Sequence, residues 1–298
     1  MVSNETDQQE REIRDSILRI KEDIPQIAGV IDAFEELFVK RSLAKSKLPA
    51  PSLELDNFDT ARFGQGAPIL DDRKIEIERD SLLQVANLII PALEKGFPKL
   101  LDPLERLKSL LERDQTFMDR LLTALESTNR IIIEEMASQI EMEPETLQFV
   151  CSELTKPFAE KAEETVRALI KDLAWSKGYC PVCGGWPGVS FWKEQEGRRF
   201  LDCSVCGHEW SFMRTKCPFC ENDDNSQMEL VFSEDRKFEH AELCHVCKRY
   251  IVGLDTRDMI TTPHPSVAPL GLIYLDFLVQ ERGFLPGAAL GWNVLDIT

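Results

Sequence analysis

The reading of the fold starts from three linked stretches: CPVCGGWPGVS (180–190), LDCSVCGHEWSFMRTKCPFC (201–220) and AELCHVCKRYIVGLD (241–255). They hold four Cys-x-x-Cys pairs, Cys180/Cys183, Cys203/Cys206, Cys217/Cys220 and Cys244/Cys247, separated by 19, 10 and 23 residues. A Cys-x-x-Cys turn aims two sulfurs at one ion while its backbone N–H groups hydrogen-bond those sulfurs, and two such turns complete a tetrahedron. Sequential pairing is the economical arrangement. Cys180, Cys183, Cys203 and Cys206 then form site one, and Cys217, Cys220, Cys244 and Cys247 form site two. An interleaved cross-brace stays open on spacing alone. The gap inside each site suits a small β-hairpin unit of the ribbon or rubredoxin-like kind. Four thiolates suit zinc and a single iron equally, so two metal ions, iron or zinc, are the expected cofactors. A dithiol redox motif would open a helix after its first cysteine, whereas the Pro and Gly flanks here make knuckles.

The residue after each second cysteine refines this picture. Gly184 and Gly207 follow the pairs of site one, where a left-handed backbone is wanted. Glu221 and Lys248 take that place in site two, at up to roughly 1–2 kcal/mol each if the same turn is kept. Site one is therefore expected to be the better formed of the two.

Outward from the cysteines, short β-like runs recur at VSFW (189–192), RRFLDC (198–203), EWSFMR (209–214), ELVF (229–232) and RYIVGL (249–254), separated by turn formers. Ser266 to Arg282 reads as one helix, and the tail FLPGAALGWNVLDIT (284–298) has no obvious regular form. The other half of the chain is helical. Ile13, Ile17, Ile20, Ile24 and Ile27 recur at steps of three and four, continued by Ile31, Phe34, Leu37 and Phe38, with Pro25 splitting the run. A Pro- and Gly-punctuated loop follows over 46–74, and periodicity resumes near Ser81. The clearest stripe, Phe158, Ala162, Val166, Leu169 and Leu173, predicts an amphipathic helix from Lys156 to Trp175. Six to eight helices and no convincing strand are expected before residue 176. The expected architecture is an all-α N-terminal domain (1–176), a first metal module (177–213), a second (214–257), and a C-terminal helix and tail (258–298) that packs back on the rest.

The 298 residues carry 43% hydrophobic and 29% charged side chains, enough to bury a core without disulfides. The net charge is −17, of which −12 falls in residues 1–175. Such a surface repels phosphate backbones and counts against nucleic acid as a partner. The opening MVSNETDQQEREIRD is acidic and polar where a signal peptide needs a basic start and an apolar stretch. The longest apolar run, Leu82 to Leu93, is interrupted and too short to span a bilayer. The expectation is a cytoplasmic protein with no membrane insertion and with reduced cysteines, which favours metal ligation over disulfides.

The remaining candidates carry weaker signals. Cys151 reads as a small core residue, since the helical half has no His to activate it. His208 follows a knuckle glycine and is a candidate donor toward the metal site, while His245, between the cysteines of a knuckle, is expected in solvent. His240 and His264 have no visible role. Asp276 lies among apolar residues in LGLIYLDFLVQ (270–280), which calls for a buried ion pair or a partner-binding role. Arg198/Arg199, Arg236/Lys237 and Lys248/Arg249 are diluted by acids, Glu234 among them, and read as a mixed solvated surface. No phosphate-cradling glycine loop, His-Glu-x-x-His or nucleophile elbow is present, and no enzymatic activity is expected.

The cysteine-rich stretches, together with PLGLIYLDFLVQERGF (269–284), resemble the formate dehydrogenase accessory proteins of the FdhE type. The shared features are the eight cysteines, Trp210, Arg214, Lys216, Glu242, Tyr250 and the Leu275–Asp276 pair; in the helical half only FGQGAPIL (63–70) is familiar. The resemblance implies a helical domain followed by two rubredoxin-like modules, each holding iron or zinc. It also implies a cytoplasmic role in maturation of formate dehydrogenase, through contact with the catalytic subunit before export. Trp210, Arg214, Lys216 and Asp276 are the candidates for partner or structural roles. An iron redox or sensing protein is the alternative, and a nucleic-acid-binding double ribbon a weaker one.

Overall fold

The computed structural model describes residues 2–53, 55, 58–71, 75–127, 130–233 and 235–294. Among them the chain forms α1 (Val2–Asp23), α2 (Ala28–Lys47), α3 (Thr60–Gly64), α4 (Arg79–Gly96), α5 (Leu101–Arg113), α6 (Gln115–Ser127), α7 (Arg130–Ile140) and α8 (Pro144–Ile170). There follow β1 (Pro187–Lys193), β2 (Arg198–Cys203), β3 (Glu209–Ser211), β4 (Met228–Phe232), β5 (Glu239–Cys244) and β6 (Arg249–Asp255). The chain closes with α9 (Ala268–Gly271), α10 (Ile273–Glu281), β7 (Leu285–Pro286) and α11 (Gly291–Val294). The final residues of the tail, 295–298, lie outside the described residues, as does Glu234. The chain folds as two compact units: one built on Met1–Pro51 and Lys74–Lys161, the other on Ser52–Arg73 and Ala162–Asn293.

The first unit is helical because its apolar residues keep helical spacing. Ile13, Ile17 and Ile20 of α1 and Ile31, Phe34, Leu37 and Phe38 of α2 are all buried. Pro25 opens a single 3₁₀ turn between the two helices, where its missing N–H costs nothing. α2 packs on both α1 and α4, and the rings of Phe34 and Phe97 meet edge to face at 5.0 Å. Burial of Arg41 is satisfied by charge: its guanidinium lies 3.2 Å from Glu153 and 3.4 Å from Glu160. The predicted helix from Lys156 is part of the longer α8, which begins at Pro144 and passes through Pro157. The stripe also turns: Phe158, Ala162, Val166 and Ile170 are buried, while Leu169 is 46% exposed. Each step of four rotates the buried stripe by about 40° around the helix, so by the last turn it has moved past the line on which Leu169 lies.

The second unit is built on one seven-stranded sheet in the order β3-β2-β1-β6-β5-β4, with β7 paired to β6. Each cysteine module supplies three consecutive antiparallel strands, and the two sets join through the parallel pair β1–β6. The modules thus lie side by side in the same sense, as tandem repeats sharing a sheet. One face packs Val189, Phe191, Leu243, Tyr250 and Val252 under Leu272, Leu275 and Val279. β5 had no counterpart among the predicted strands. The predicted single helix over 266–282 is two, broken at Leu272 (φ −104°, ψ 8°), which follows Gly271 and caps α9. The loop FGQGAPIL, familiar in sequence, folds onto the first knuckle: Ile69 and Leu70 N–H donate to the carbonyls of Pro181 and Val182, both at 2.9 Å. Gly66 has φ +106°, and a Cβ there would come within 2.9 Å of the Tyr179 hydroxyl, which donates to the Gly66 carbonyl at 2.7 Å.

Candidate metal centres

Each Cys-x-x-Cys pair sits on the same turn. The N–H of the residue after the second cysteine donates to the carbonyl of the first: Gly184 to Cys180, Gly207 to Cys203, Glu221 to Cys217 and Lys248 to Cys244, at 2.9–3.1 Å. All four closing residues are left-handed, with φ of 75°, 66°, 59° and 59°. Site two therefore keeps the turn without glycine, at the conformational cost expected for Glu221 and Lys248. Glu221 is offset by ion pairs with Lys216 at 3.0 Å and Lys177 at 3.5 Å, and the Lys248 ammonium lies 5.4 Å from the Phe284 ring centroid.

The turns converge in the sequential grouping. Cys180, Cys183, Cys203 and Cys206 form one cluster, and Cys217, Cys220, Cys244 and Cys247 the other, with all four sulfurs of each within 4.8 Å of one another. Sulfur separations are 3.6 Å (Cys180–Cys206) and 3.5 Å (Cys183–Cys203) in site one, and 3.8 Å (Cys217–Cys247) and 3.7 Å (Cys220–Cys244) in site two. A tetrahedron with metal–sulfur bonds of about 2.3 Å sets sulfurs about 3.8 Å apart, so both clusters fit one ion each. Backbone N–H groups of Val182, Gly185 and Val205 point at the sulfurs of Cys180, Cys183 and Cys203, each at 3.4 Å. Site one is the more enclosed; in site two Cys220 is exposed and Cys247 half-buried. The thiols of site one differ in their surroundings. Burial pushes Cys180 well up, whereas hydrogen bonds from Cys180, Cys203 and Cys206 hold Cys183 well below the ordinary thiol range.

The other candidates take structural places. Trp210 is buried and its indole N–H donates to the Lys177 carbonyl at 3.3 Å. The Arg214 guanidinium stacks 3.6 Å from the Trp192 ring centroid. Lys216 pairs with Glu221. His208 turns away from the sulfurs to Glu163, at 2.9 Å, and His245 is held by Glu229 at 2.8 Å and by the edge of Phe284. Cys151 is buried, which pushes its thiol up to about 12 and removes it as a nucleophile.

Asp276 takes a buried, structural place, but without the ion pair expected of it. It is 2% exposed, and among the described residues its partners are neutral donors, the Tyr250 hydroxyl at 2.6 Å and the Trp292 indole N–H at 2.9 Å. Burial raises its pKa to about 6 against those two hydrogen bonds. A carboxyl raised in the fold stabilises it below the ordinary range, and that contribution is lost as pH rises through 6. Asp276→Asn removes the titration, so the advantage of the native chain over the variant should shrink by about 1 kcal/mol between pH 5 and 7.5. Urea unfolding followed by tryptophan fluorescence checks this; parallel pH curves for the two proteins would refute it.

Sequence reasoning missed the buried polar row on the other face of the sheet. Arg199 was read as surface, yet its side chain is 0% exposed and paired with Glu242, itself 2% exposed. Ser190 donates to Glu242 at 2.7 Å, and His240, 3.5 Å from Glu242, stacks on Trp192 at 3.9 Å between ring centroids. Burial would raise Glu242, but the Arg199 charge overrides it and holds the carboxyl well below its usual range. Gly253 leaves room for the row, since a Cβ there would meet the Ser190 hydroxyl at 2.3 Å and the His240 ring at 2.6 Å. The row also takes Arg199 out of any basic patch for nucleic acid.

Comparison with known proteins agrees with this architecture. Residues 179–214 match the family model "FdhE, central domain". A Protein FdhE homolog of Aquifex aeolicus is 28% identical over 93% of both chains, and one of Haemophilus influenzae is 26% identical over 73% of this chain and 77% of its own. The crystal structure of the FdhE protein from Pseudomonas aeruginosa shares the fold, with a TM-score of 0.59 at 18% identity over 95% of this chain and 94% of that one. The chain is thus similar to FdhE proteins along nearly its whole length in sequence, and to the Pseudomonas aeruginosa protein in fold.

Proposed function

We propose that the chain is a non-enzymatic accessory protein for formate dehydrogenase, acting in the cytoplasm and binding the catalytic subunit before export. The eight cysteines hold two ions, iron or zinc, and the metal pins the surface that recognises the client. One observation carries this reading: both clusters fit a tetrathiolate ion, and each displays an apolar knuckle tip. Val205 and Val246 are 40% and 56% exposed, and Leu285, whose N–H pairs with the Lys248 carbonyl at 2.8 Å, is 63% exposed. Apolar side chains held out on rigid turns are a binding device, because little freedom is lost on docking. A bound ion would supply the rigidity and folding free energy that these turns need. Similarity to FdhE proteins supports the choice of client, and the −12 charge of residues 1–175 supports contact with a basic segment of it, such as the basic start of an export signal. No described helix is long and apolar enough to cross a membrane.

Calorimetric titration of the metal-loaded chain with a formate dehydrogenase catalytic subunit tests the proposal. Binding is expected to weaken about tenfold or more in Val246→Asp with metal content unchanged, to vanish on chelation, and to fall as salt rises. Equal binding by the metal-free chain contradicts the role of the metal, and binding indifferent to salt contradicts the charged contact.

A further inference from the structure

The Arg199 guanidinium joins the two cysteine clusters. Its strand, β2, ends at Cys203, a member of site one. One amino group pairs with Glu242, two residues before Cys244 in site two. The other donates to the carbonyls of Met213 at 2.8 Å and Lys216 at 2.6 Å, and Lys216 immediately precedes Cys217. The backbone carbonyl of Arg199 accepts from Phe212 N–H at 3.0 Å, tying the linker between the modules to the same residue. One side chain therefore touches the strand delivering Cys203 and the segments delivering both knuckles of site two.

We infer that Arg199 and Glu242 form a clasp that couples loading of the two sites, so that filling site one raises the affinity of site two. The inference rests on the reading of the clusters as metal sites. Filling site one pins the Cys203 turn and with it the end of β2, which presents the guanidinium in place. The Lys216 carbonyl and the Glu242 carboxylate then have a fixed partner, and the two knuckles of site two meet already arranged. A guanidinium with no exposed surface cannot release one of these partners and remain solvated, so the arrangement forms or breaks as a unit. Coupling through such an element is reciprocal: site two must favour site one by the same factor.

Cobalt(II) titration tests the clasp, because a tetrathiolate cobalt centre absorbs in the visible. Site two is read with site one filled in the native chain, and with site one disabled in Cys203→Ser/Cys206→Ser. The expected result is site-two binding about tenfold or more weaker when site one is disabled. In Arg199→Lys, which keeps the charge but loses the fork, and in Glu242→Gln, the same comparison should give equal affinities. Equal site-two affinity with site one filled or disabled in the chain with the native clasp overturns the inference, whether or not the clasp variants fold. Undiminished coupling in a folded Arg199→Lys or Glu242→Gln protein also overturns it, by placing the coupling elsewhere. No tetrathiolate spectrum from either site of the native chain would instead overturn the metal reading itself.

Discussion

Chelation of the metal from both sites is expected to disrupt the sheet unit while most of the helical signal survives. The reason lies in how little else arranges the knuckles. Four sulfurs per site are gathered within 4.8 Å of one another on turns whose closing residues are all left-handed. A structural tetrathiolate zinc site contributes about 10–16 kcal/mol in small modules, which exceeds the net stability of an ordinary domain. Without it, the thiols of site one keep only one another and a few backbone N–H groups as partners. The two units can be followed separately, because all five tryptophans, Trp175, Trp186, Trp192, Trp210 and Trp292, belong to the sheet unit. Emission should shift to the red and lose its cooperative thermal transition on chelation, with ellipticity at 222 nm largely retained. Unchanged emission and melting would show that the metal contributes nothing to the fold.

The second large effect belongs to the helical unit. Glu153→Ala is expected to cost about 3–5 kcal/mol, because it leaves the Arg41 guanidinium buried without its main counter-charge. Arg41 and Glu153 side chains are 7% and 3% exposed, Lys156 closes on the other carboxylate oxygen at 2.5 Å, and Arg41 also lies 4.9 Å from the Phe38 ring centroid. Burial would raise the Glu153 pKa, yet Lys156 and Arg41 hold it below the usual range, so the group is charged at neutral pH. The paired replacement Arg41→Met/Glu153→Leu removes both charges and should lie close to the native chain in stability. Urea unfolding followed at 222 nm distinguishes the two. A single variant as stable as the native chain would show that the pair is not needed.

The features that were legible in the sequence share a local cause. Cysteine spacing is dictated by the tetrahedron, so the membership of both sites could be read at the economical pairing before any geometry was known. The isoleucine ladder of α1 and α2 and the break at Pro25 follow from helical period and proline chemistry. β2 was read at its observed bounds because RRFLDC stands between turn formers. What escaped depends on partners far along the chain. β5, EHAELC, carries two acids and a histidine and looks like loop, yet all six residues are buried. Glu239 is accommodated by the Arg236 guanidinium at 2.8 Å and the Tyr274 hydroxyl at 2.6 Å, and Glu242 by Arg199, 43 positions away. The same dependence hid Arg199, which local composition marks as surface, and replaced the expected ion pair of Asp276 with Tyr250 and Trp292. The break at Leu272 was missed because PLGLIYLDF keeps a continuous apolar face through it.

The two cysteine clusters are expected to act as separate metal centres. Elemental analysis of chain purified without oxygen, alongside Cys203→Ser/Cys206→Ser and Cys217→Ser/Cys220→Ser proteins supplied with excess metal, tests this expectation most directly. Two ions per native chain and one per chain in each variant are expected. Fewer than one ion per native chain, with eight thiols free to react, would contradict it.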